Sequence, residues 1–437
     1  MRKVTPKVLL IAGVLMACSS LVHAAGFNIY EAGVRATALG GAFTATADDG
    51  SALFYNASGM SFMDRSSVSL NLMPIQPRMK FAEANSDVTE EVAHNTFLVP
   101  GAYYTNSNNE KVAFGVGVYA PFGLGVEWMN PTEFVGRQVS YDVEIQTVYV
   151  TPAVSFRVAD AWAVSIGLDV AHQALDLKKM TLQPTSGANA IDTHIEGSSS
   201  INITPSFGLM FRPNEKISAG LMYHHEKTMK YEDQDVTMTN VMDPNHPNYV
   251  WAATLLAGLN GGVPTSTLTP TISSELNLPS ILSIGLAYKF TPRLALEGNY
   301  VRFGWGTFQS LPMDFSVDAL DQEIHFNYKD TWQVRFGLDY VAIPEKLNIM
   351  VGYVHDKSPQ PAASVSPILP DADRNDYSFG LQYKHKSWDF TGCYMAVIAD
   401  KRQNIENDRP ANPDPAYPVG EYSNVANIFG LSVGYHF

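Results

Sequence analysis

From about residue 65 onward, large apolar residues alternate strictly with small or polar ones. This is the period of two expected for strands whose faces meet different surroundings. Val112, Phe114, Val116 and Val118 alternate with Lys111, Ala113, Gly115 and Gly117, and Leu282, Ile284, Leu286, Tyr288 and Phe290 alternate with Ser283, Gly285, Ala287 and Lys289. Trp332, Val334, Phe336, Leu338 and Tyr340 share one face opposite Thr331, Gln333, Arg335, Gly337 and Asp339, a polar set that a buried sandwich core would not accept without partners. The last segment sets Phe429, Leu431, Val433, Tyr435 and Phe437 against Gly430, Ser432, Gly434 and His436. Aromatic residues gather at segment ends, where a membrane girdle would place them.

Fourteen such segments are expected, near residues 66–73, 96–105, 111–119, 146–157, 162–177, 201–212, 217–230, 280–290, 294–305, 330–340, 347–355, 377–385, 388–398 and 428–437. Brief turns, such as Asn106 to Glu110, Pro213 to Lys216, Thr291 to Arg293 and Lys384 to Ser387, alternate with long polar stretches. Short periplasmic turns and long external loops are the asymmetry of bacterial outer-membrane barrels, and an even strand number puts both termini in the periplasm. A soluble sandwich or propeller also alternates, but it predicts neither that asymmetry nor a terminal aromatic on the final strand.

Composition narrows the reading further. The 437 residues carry 43 Asp and Glu against 29 Lys and Arg, a balance of -14 that offers no basic face to nucleic acid. Mean hydropathy is -0.06, and after the N-terminal segment no uncharged apolar run reaches the ~18 residues that a spanning helix requires. Residues 1–24 read as a cleaved export signal: basic Arg2, Lys3 and Lys7, an apolar stretch from Val8 to Ala17, and small-residue Val22-His23-Ala24. A rival cut at Leu15-Met16-Ala17-Cys18 would make Cys18 a lipidated N-terminus. On the main reading Cys393 remains as a lone thiol and no intramolecular bridge forms.

Residues 25–62 lack a sustained strand pattern, are rich in Gly and Ala, and are too few to fold alone. A barrel of this strand number leaks unless its lumen is filled, so this segment is expected to be a plug and residues 63–437 the barrel. Ala25-Gly26-Phe27, Asp48-Asp49 and Tyr55-Asn56-Ala57-Ser58-Gly59-Met60 resemble the hatch of the FadL family of outer-membrane long-chain fatty acid transporters. The resemblance continues through Ala120-Pro121-Phe122-Gly123-Leu124, Leu278-Pro279-Ser280, and Tyr328-Lys329-Asp330-Thr331-Trp332 with Arg335 and Tyr340. It is most specific at Asp356-Lys357-Ser358-Pro359-Gln360-Pro361 followed by Leu369-Pro370-Asp371-Ala372-Asp373-Arg374. One departure stands out: the family's hatch usually carries Asn-Pro-Ala, whereas this chain has Asn56-Ala57-Ser58, without the restriction proline imposes.

The resemblance implies an all-β, fourteen-stranded antiparallel transmembrane barrel closed by an N-terminal hatch, with Asp48, Asp49, Asn56, Ala57 and Ser58 in the hatch and gating region. It also implies an outer capture groove, an inner apolar pocket beside the hatch N-terminus, and passive sideways release near an inward kink of the third strand. Phe27, matching the third residue of the family's mature chain, is the expected pocket contact. The implied cargo is a long-chain fatty acid or, in other members, an aromatic hydrocarbon. The protein is expected to be a monomer surrounded by outer-membrane lipid and lipopolysaccharide.

The residues themselves add candidates. Trp251, Leu255, Leu256 and Leu259 fall in an apolar stretch of the long loop 231–279 with helical spacing, suited either to capturing cargo or to capping neighbouring loops. A carboxylate head group inside an apolar lumen needs a cation; Lys329 and Arg335 are candidates, although each fits an ordinary lumen salt-bridge network better. No metal is expected. Around Asp371, Asp373, Asn375 and Asp376 the calcium-loop glycine is replaced by Asp376, and His224-His225-Glu226 lacks the second histidine of a zinc helix because Met229 takes its place. With histidines such as His94, His194, His246 and His325 scattered through loops, and with no phosphate-binding loop, neither an enzyme nor a cofactor is expected. An open porin for small polar solutes is the alternative, and loop-mediated adhesion could coexist with transport.

Overall fold

The computed structural model describes residues 26–406, 409–410 and 417–437, so the export-signal and Cys18 readings fall outside the described residues. Fourteen antiparallel strands close into a ring. They are β1 (Ser67–Glu83), β2 (Phe97–Asn106), β3 (Val112–Tyr119 and Gly123–Glu127), β4 (Asp142–Ala159), β5 (Trp162–Leu182), β6 (Asn189–Ser198 and Asn202–Phe211) and β7 (Ile217–His224 and Lys227–Asn240). The ring continues through β8 (Thr271–Leu278 and Ile281–Thr291), β9 (Leu294–Phe303), β10 (Thr331–Ile343), β11 (Leu347–Asp356), β12 (Arg374–His385), β13 (Trp388–Ala399) and β14 (Gly420–His436). β14 pairs back onto β1, from Ser67 opposite His436 to Glu83 opposite Gly420, which closes the ring. At one end the turns are tight, such as Pro292-Arg293 and Lys386-Ser387. At the other end lie the long connections 241–270, 304–330 and 357–373. Among the described residues no helix is long and apolar enough to cross a membrane.

Every strand expected from the sequence is present, but several run further toward the long-loop end than expected. β1 continues ten residues beyond residue 73, β7 runs to Asn240, and β8 begins at Thr271, so the loop read as 231–279 shrinks to 241–270. The cause is a reversal of polarity along the strands. On β1, outward Val68, Leu70 and Leu72 are exposed and apolar while Ser67, Ser69 and Asn71 point inward. Past Leu72 the inward positions become Met73, Ile75, Met79 and Phe81, and the outward ones become Gln76, Arg78 and Lys80. β4 and β5 switch in the same way: inward Thr147, Thr151, Asp169 and Gln173 give way to Val143, Ile145, Leu175 and Leu177. A strand in lipid shows carbon outward; the same strand above the lipid shows carbon inward and polar groups to water.

The outward apolar band includes Ile166, Leu286, Phe336, Phe379 and Leu431, with Trp162, Phe290, Tyr340, Tyr383, Trp388 and Tyr435 near the tight turns as an aromatic girdle. Residues 26–62 lie against inward-facing groups on opposite sides of the ring. The Gly40 N–H donates to Ser378 Oγ of β12 (3.1 Å), the Ala45 N–H to Glu297 of β9 (2.7 Å), and Asn56 Nδ2 to the Leu209 carbonyl of β6 (3.1 Å). The segment is built from the short helices α1 (Val34–Ala38) and α2 (Ala52–Tyr55) and a 3-10 turn, Ala57–Phe62. A fourth helical piece, α3 (Tyr249–Leu259), lies in the loop 241–270.

Candidate functional site

Polarity reversal gives the lumen two chambers. Above residues 26–62, the inward apolar positions of β3–β8 and the loops over them line a narrow cavity of about 70 Å³. The wall includes Leu124, Ile145, Leu177, Ile195, Leu276, Phe308 and Phe326, and among the described residues no charged side chain lines it. Below lies a second space of about 660 Å³ lined by Arg35, Asp48, Ser69, Asn71, Arg212, Lys384 and Asp389, a chamber that water fills at little cost.

Phe27 forms part of the upper cavity wall. Its ring packs edge-on against Trp305 (4.9 Å between centroids) and Phe308 (5.8 Å), with Phe122 at 6.0 Å. Gly26 has φ +60°, and a Cβ there would sit 2.7 Å from the Trp305 ring, so only glycine allows the chain to pass. The Gly26 N–H donates to Asp371 Oδ2 at 3.0 Å, and Ser358 Oγ donates to the same oxygen at 2.6 Å. Lys357 pairs with Asp373, and the Ser358 N–H donates to Asp373 at 3.0 Å. The two neighbouring motifs of residues 356–374 thus fold onto each other and hold Gly26. Burial pushes the Asp371 carboxyl above its usual range, against the Ser358 and Gly26 hydrogen bonds.

The cavity abuts a discontinuity in the wall. β2 pairs with β3 only from Ala102 opposite Val118 to Asn106 opposite Phe114. Further up, Phe97–Gly101 pair with β1, and Gly123–Glu127 pair with β4. The seam rejoins at Val92 opposite Trp128 and at the Ala93 N–H to Glu127 carbonyl bond (2.7 Å). Ala120-Pro121-Phe122 interrupt β3 because Pro121 has no N–H for the ladder. Asn28 bridges to Phe122: the Ile29 N–H donates to the Pro121 carbonyl (2.8 Å) and the Gly123 N–H to the Phe27 carbonyl (2.8 Å).

The other sequence candidates lie elsewhere. On α3, Leu256 is buried and Trp251, Leu255 and Leu259 are partly buried against the core, none of them in the cavity wall. Lys329 is exposed at an outer groove shared with Lys357, Lys401 and Arg402. Arg335 lies deep in the ring under the Tyr30 ring (4.5 Å), where it donates to Gln333 and, at 3.2 Å, to the Gly41 carbonyl. Asp48 pairs with Arg35, which also reaches Asp339 of β10 at 2.8 Å. Asp49 accepts from the Ser51 N–H (2.8 Å) and hydroxyl (2.6 Å) at the start of α2. Asn56 caps the 3-10 turn by accepting from the Ser58 N–H (3.2 Å) and donates to the Thr44 carbonyl (2.9 Å). Ala57 is the first residue of that turn, and Ser58 Oγ bonds to Ser165 Oγ (2.9 Å). Sequence reasoning missed most of the cavity wall, including Leu124, Leu177, Ile195 and Phe308. The usable signal was alternation with its apolar face reversed.

Residues 15–437 match the family described as outer membrane protein transport protein (OMPP1/FadL/TodX). The chain is 23% identical over 450 residues to a long-chain fatty acid transport protein of Escherichia coli O6:H1, covering 96% of each chain. It is 21% identical over 490 residues to outer membrane protein P1 of Haemophilus influenzae, covering 98% of each. Its fold is similar to the crystal structure of a Pseudomonas aeruginosa FadL homologue (TM-score 0.79, 19% identity, 94% of this chain and 100% of the other). It is also similar to that of the P. putida toluene transporter TodX (TM-score 0.68, 14% identity, 92% and 97%). The chain belongs to the OMPP1/FadL/TodX family and is an outer-membrane transporter for hydrophobic compounds, not an enzyme.

Proposed function

We propose that the protein mediates passive uptake of long-chain fatty acids, with residues 26–62 acting as a hatch and with sideways release into the membrane. The observation that carries the reading is an uncharged apolar cavity with Phe27 in its wall, beside an unpaired stretch of the β2–β3 seam. Moving an alkyl chain from this cavity into the polar lower chamber costs ~0.8 kcal/mol per CH₂. Passage through the seam into the lipid hydrocarbon carries no such penalty. Apolar cargo therefore leaves through the wall, and hatch rearrangement at Phe27–Ile29 uncovers the route. The carboxylate head, too costly to bury unpaired, is held by Lys329 at the outer rim, while α3, through its partly exposed Trp251, Leu255 and Leu259, forms part of the capture surface above the buried Leu256.

Fatty acid is the first choice because the relatives matching at 86–98% of this chain include several named as long-chain fatty acid transport proteins. One observation favours an uncharged hydrocarbon as a second reading: among the described residues the cavity wall has no charged side chain to meet a carboxylate. Uptake of labelled oleate and toluene by a deletion strain complemented with this gene separates the two. Uptake of oleate supports the first reading, uptake of toluene alone the second, and passage of small sugars with uptake of neither overturns both.

A further inference from the structure

His224 is an inward residue of β7 with its side chain 6% exposed, in the middle of a buried polar cluster. Its Nδ1 lies 2.8 Å from Asp169 Oδ2 of β5, and its Nε2 lies 2.9 Å from the main-chain carbonyl of Phe54 on α2. Both partners are acceptors. A neutral imidazole carries one N–H and would aim a lone pair at one of these oxygens, whereas the imidazolium donates to both. The Phe54 ring lies 5.5 Å from the imidazole and nearly parallel to it, so α2 is held by a hydrogen bond and by stacking from the same side chain.

The charged and titratable groups around this pair come from every wall strand nearby. Lys227 of β7 reaches Asp169 Oδ2 at 3.3 Å and lies over the ring of Tyr149 of β4; Tyr119 of β3 bonds to Thr151, which donates to Asp169 Oδ1 at 3.0 Å. The residues opposite His224 on β6 and β8 are Ser206 and Ile281, neither of which titrates. Asp169, fully buried, thus faces two cationic donors. Lys227 alone balances its charge when His224 is neutral, so losing the imidazolium proton leaves Asp169 paired and frees the hatch contact.

We infer that His224, held as an imidazolium, is a positioning residue that ties α2 to the barrel wall, and that its deprotonation releases this part of the segment. The inference rests on reading residues 26–62 as a hatch, and it makes hatch release sensitive to pH through one wall side chain.

The test is hydrogen exchange of the amides of residues 51–59 in the full chain in detergent, at about pH 5.5 and about pH 8, corrected for the chemical exchange rate. Wild type loses protection there by about tenfold at the higher pH, the size of one charge-assisted hydrogen bond. His224→Lys, a permanent cation, and His224→Gln, a permanent neutral, both lose that pH dependence, while strand amides in the same spectra report an intact barrel. Equal wild-type protection at both pH values, or variants that keep the wild-type pH dependence, overturns the inference. Oleate uptake by the same variants separates the two layers: pH-dependent exchange with unaltered uptake leaves the His224 contact standing and removes the hatch reading.

Discussion

The Asp371 carboxylate accepts the Gly26 N–H at 3.0 Å although the two residues are 345 positions apart, so an outer loop holds the start of the described chain. Asp371→Ala removes the acceptor for both Gly26 and Ser358 Oγ and leaves two donors to find others, at ~1–3 kcal/mol for an unsatisfied buried group. Amide exchange of residues 26–30 is expected to rise by tenfold or more, with exchange of β10–β13 unaltered. Unaltered exchange at residues 26–30 would show that the Asn28–Phe122 bridge alone holds the segment.

Phe27 touches Trp305, Phe308 and Phe122 and also lines the cavity. Phe27→Ala removes this packing, at ~3–5 kcal/mol by analogy with other buried aromatics. The barrel is expected to stay heat-modifiable on gels, with initial oleate uptake down at least about tenfold. Loss of the barrel itself would show that residues 26–62 are needed for folding rather than for passage.

Ala57 opens the 3-10 turn, and Asn56 before it is extended, at φ -176° and ψ 98°, a conformation suited to the residue preceding a proline. Ala57→Pro supplies the proline of the family motif and is expected to stabilise the segment by ~0.4–1 kcal/mol through a less flexible unfolded chain. Thermal unfolding should show an equal or higher midpoint; a lower one would mean that the backbone at residues 56–58 differs from that of the family's proline-containing motif.

Burial pushes the Glu31 carboxyl up to about 7; Arg374 opposes the shift and Asp376 adds to it. The folded value lies above the unfolded one, so this contribution to stability is complete below about pH 4.5 and is lost as pH rises through about 7. The difference amounts to ~3 kcal/mol at most. Exchange of residues 29–34 should therefore quicken between about pH 5 and about pH 8 beyond the chemical rate, and Glu31→Gln should abolish that change. A pH response that persists in Glu31→Gln assigns it to another group.

The part of the fold bathed in lipid was legible, because there a single rule, carbon outward, governs segments such as Leu282–Phe290 and Phe429–Phe437. Above the lipid the rule reverses: Gln76, Arg78 and Lys80 face water while Met79 and Phe81 face the lumen, and strands were read as loops there. The cavity was illegible for a related reason. Its wall draws single inward residues from β3–β8 and from loops up to residue 369, and no local pattern gathers such a set. Phe27 was legible only through family resemblance. Arg335 and Lys329 looked alike as nearby cations in sequence, yet one lies beneath Tyr30 and the other faces the exterior.

The central claim is that cargo occupies the apolar upper chamber and never enters the polar lower one. Initial rates of labelled oleate uptake decide it when one lysine is placed in either chamber, at Leu177 above or at Asn71 below, with surface expression matched. A buried unpaired ammonium in the upper cavity is costly, so Leu177→Lys is expected to lose uptake, whereas Asn71→Lys, in a water-filled space, retains it. Retained uptake with Leu177→Lys, or loss confined to Asn71→Lys, would place the route through the lower chamber and contradict the account.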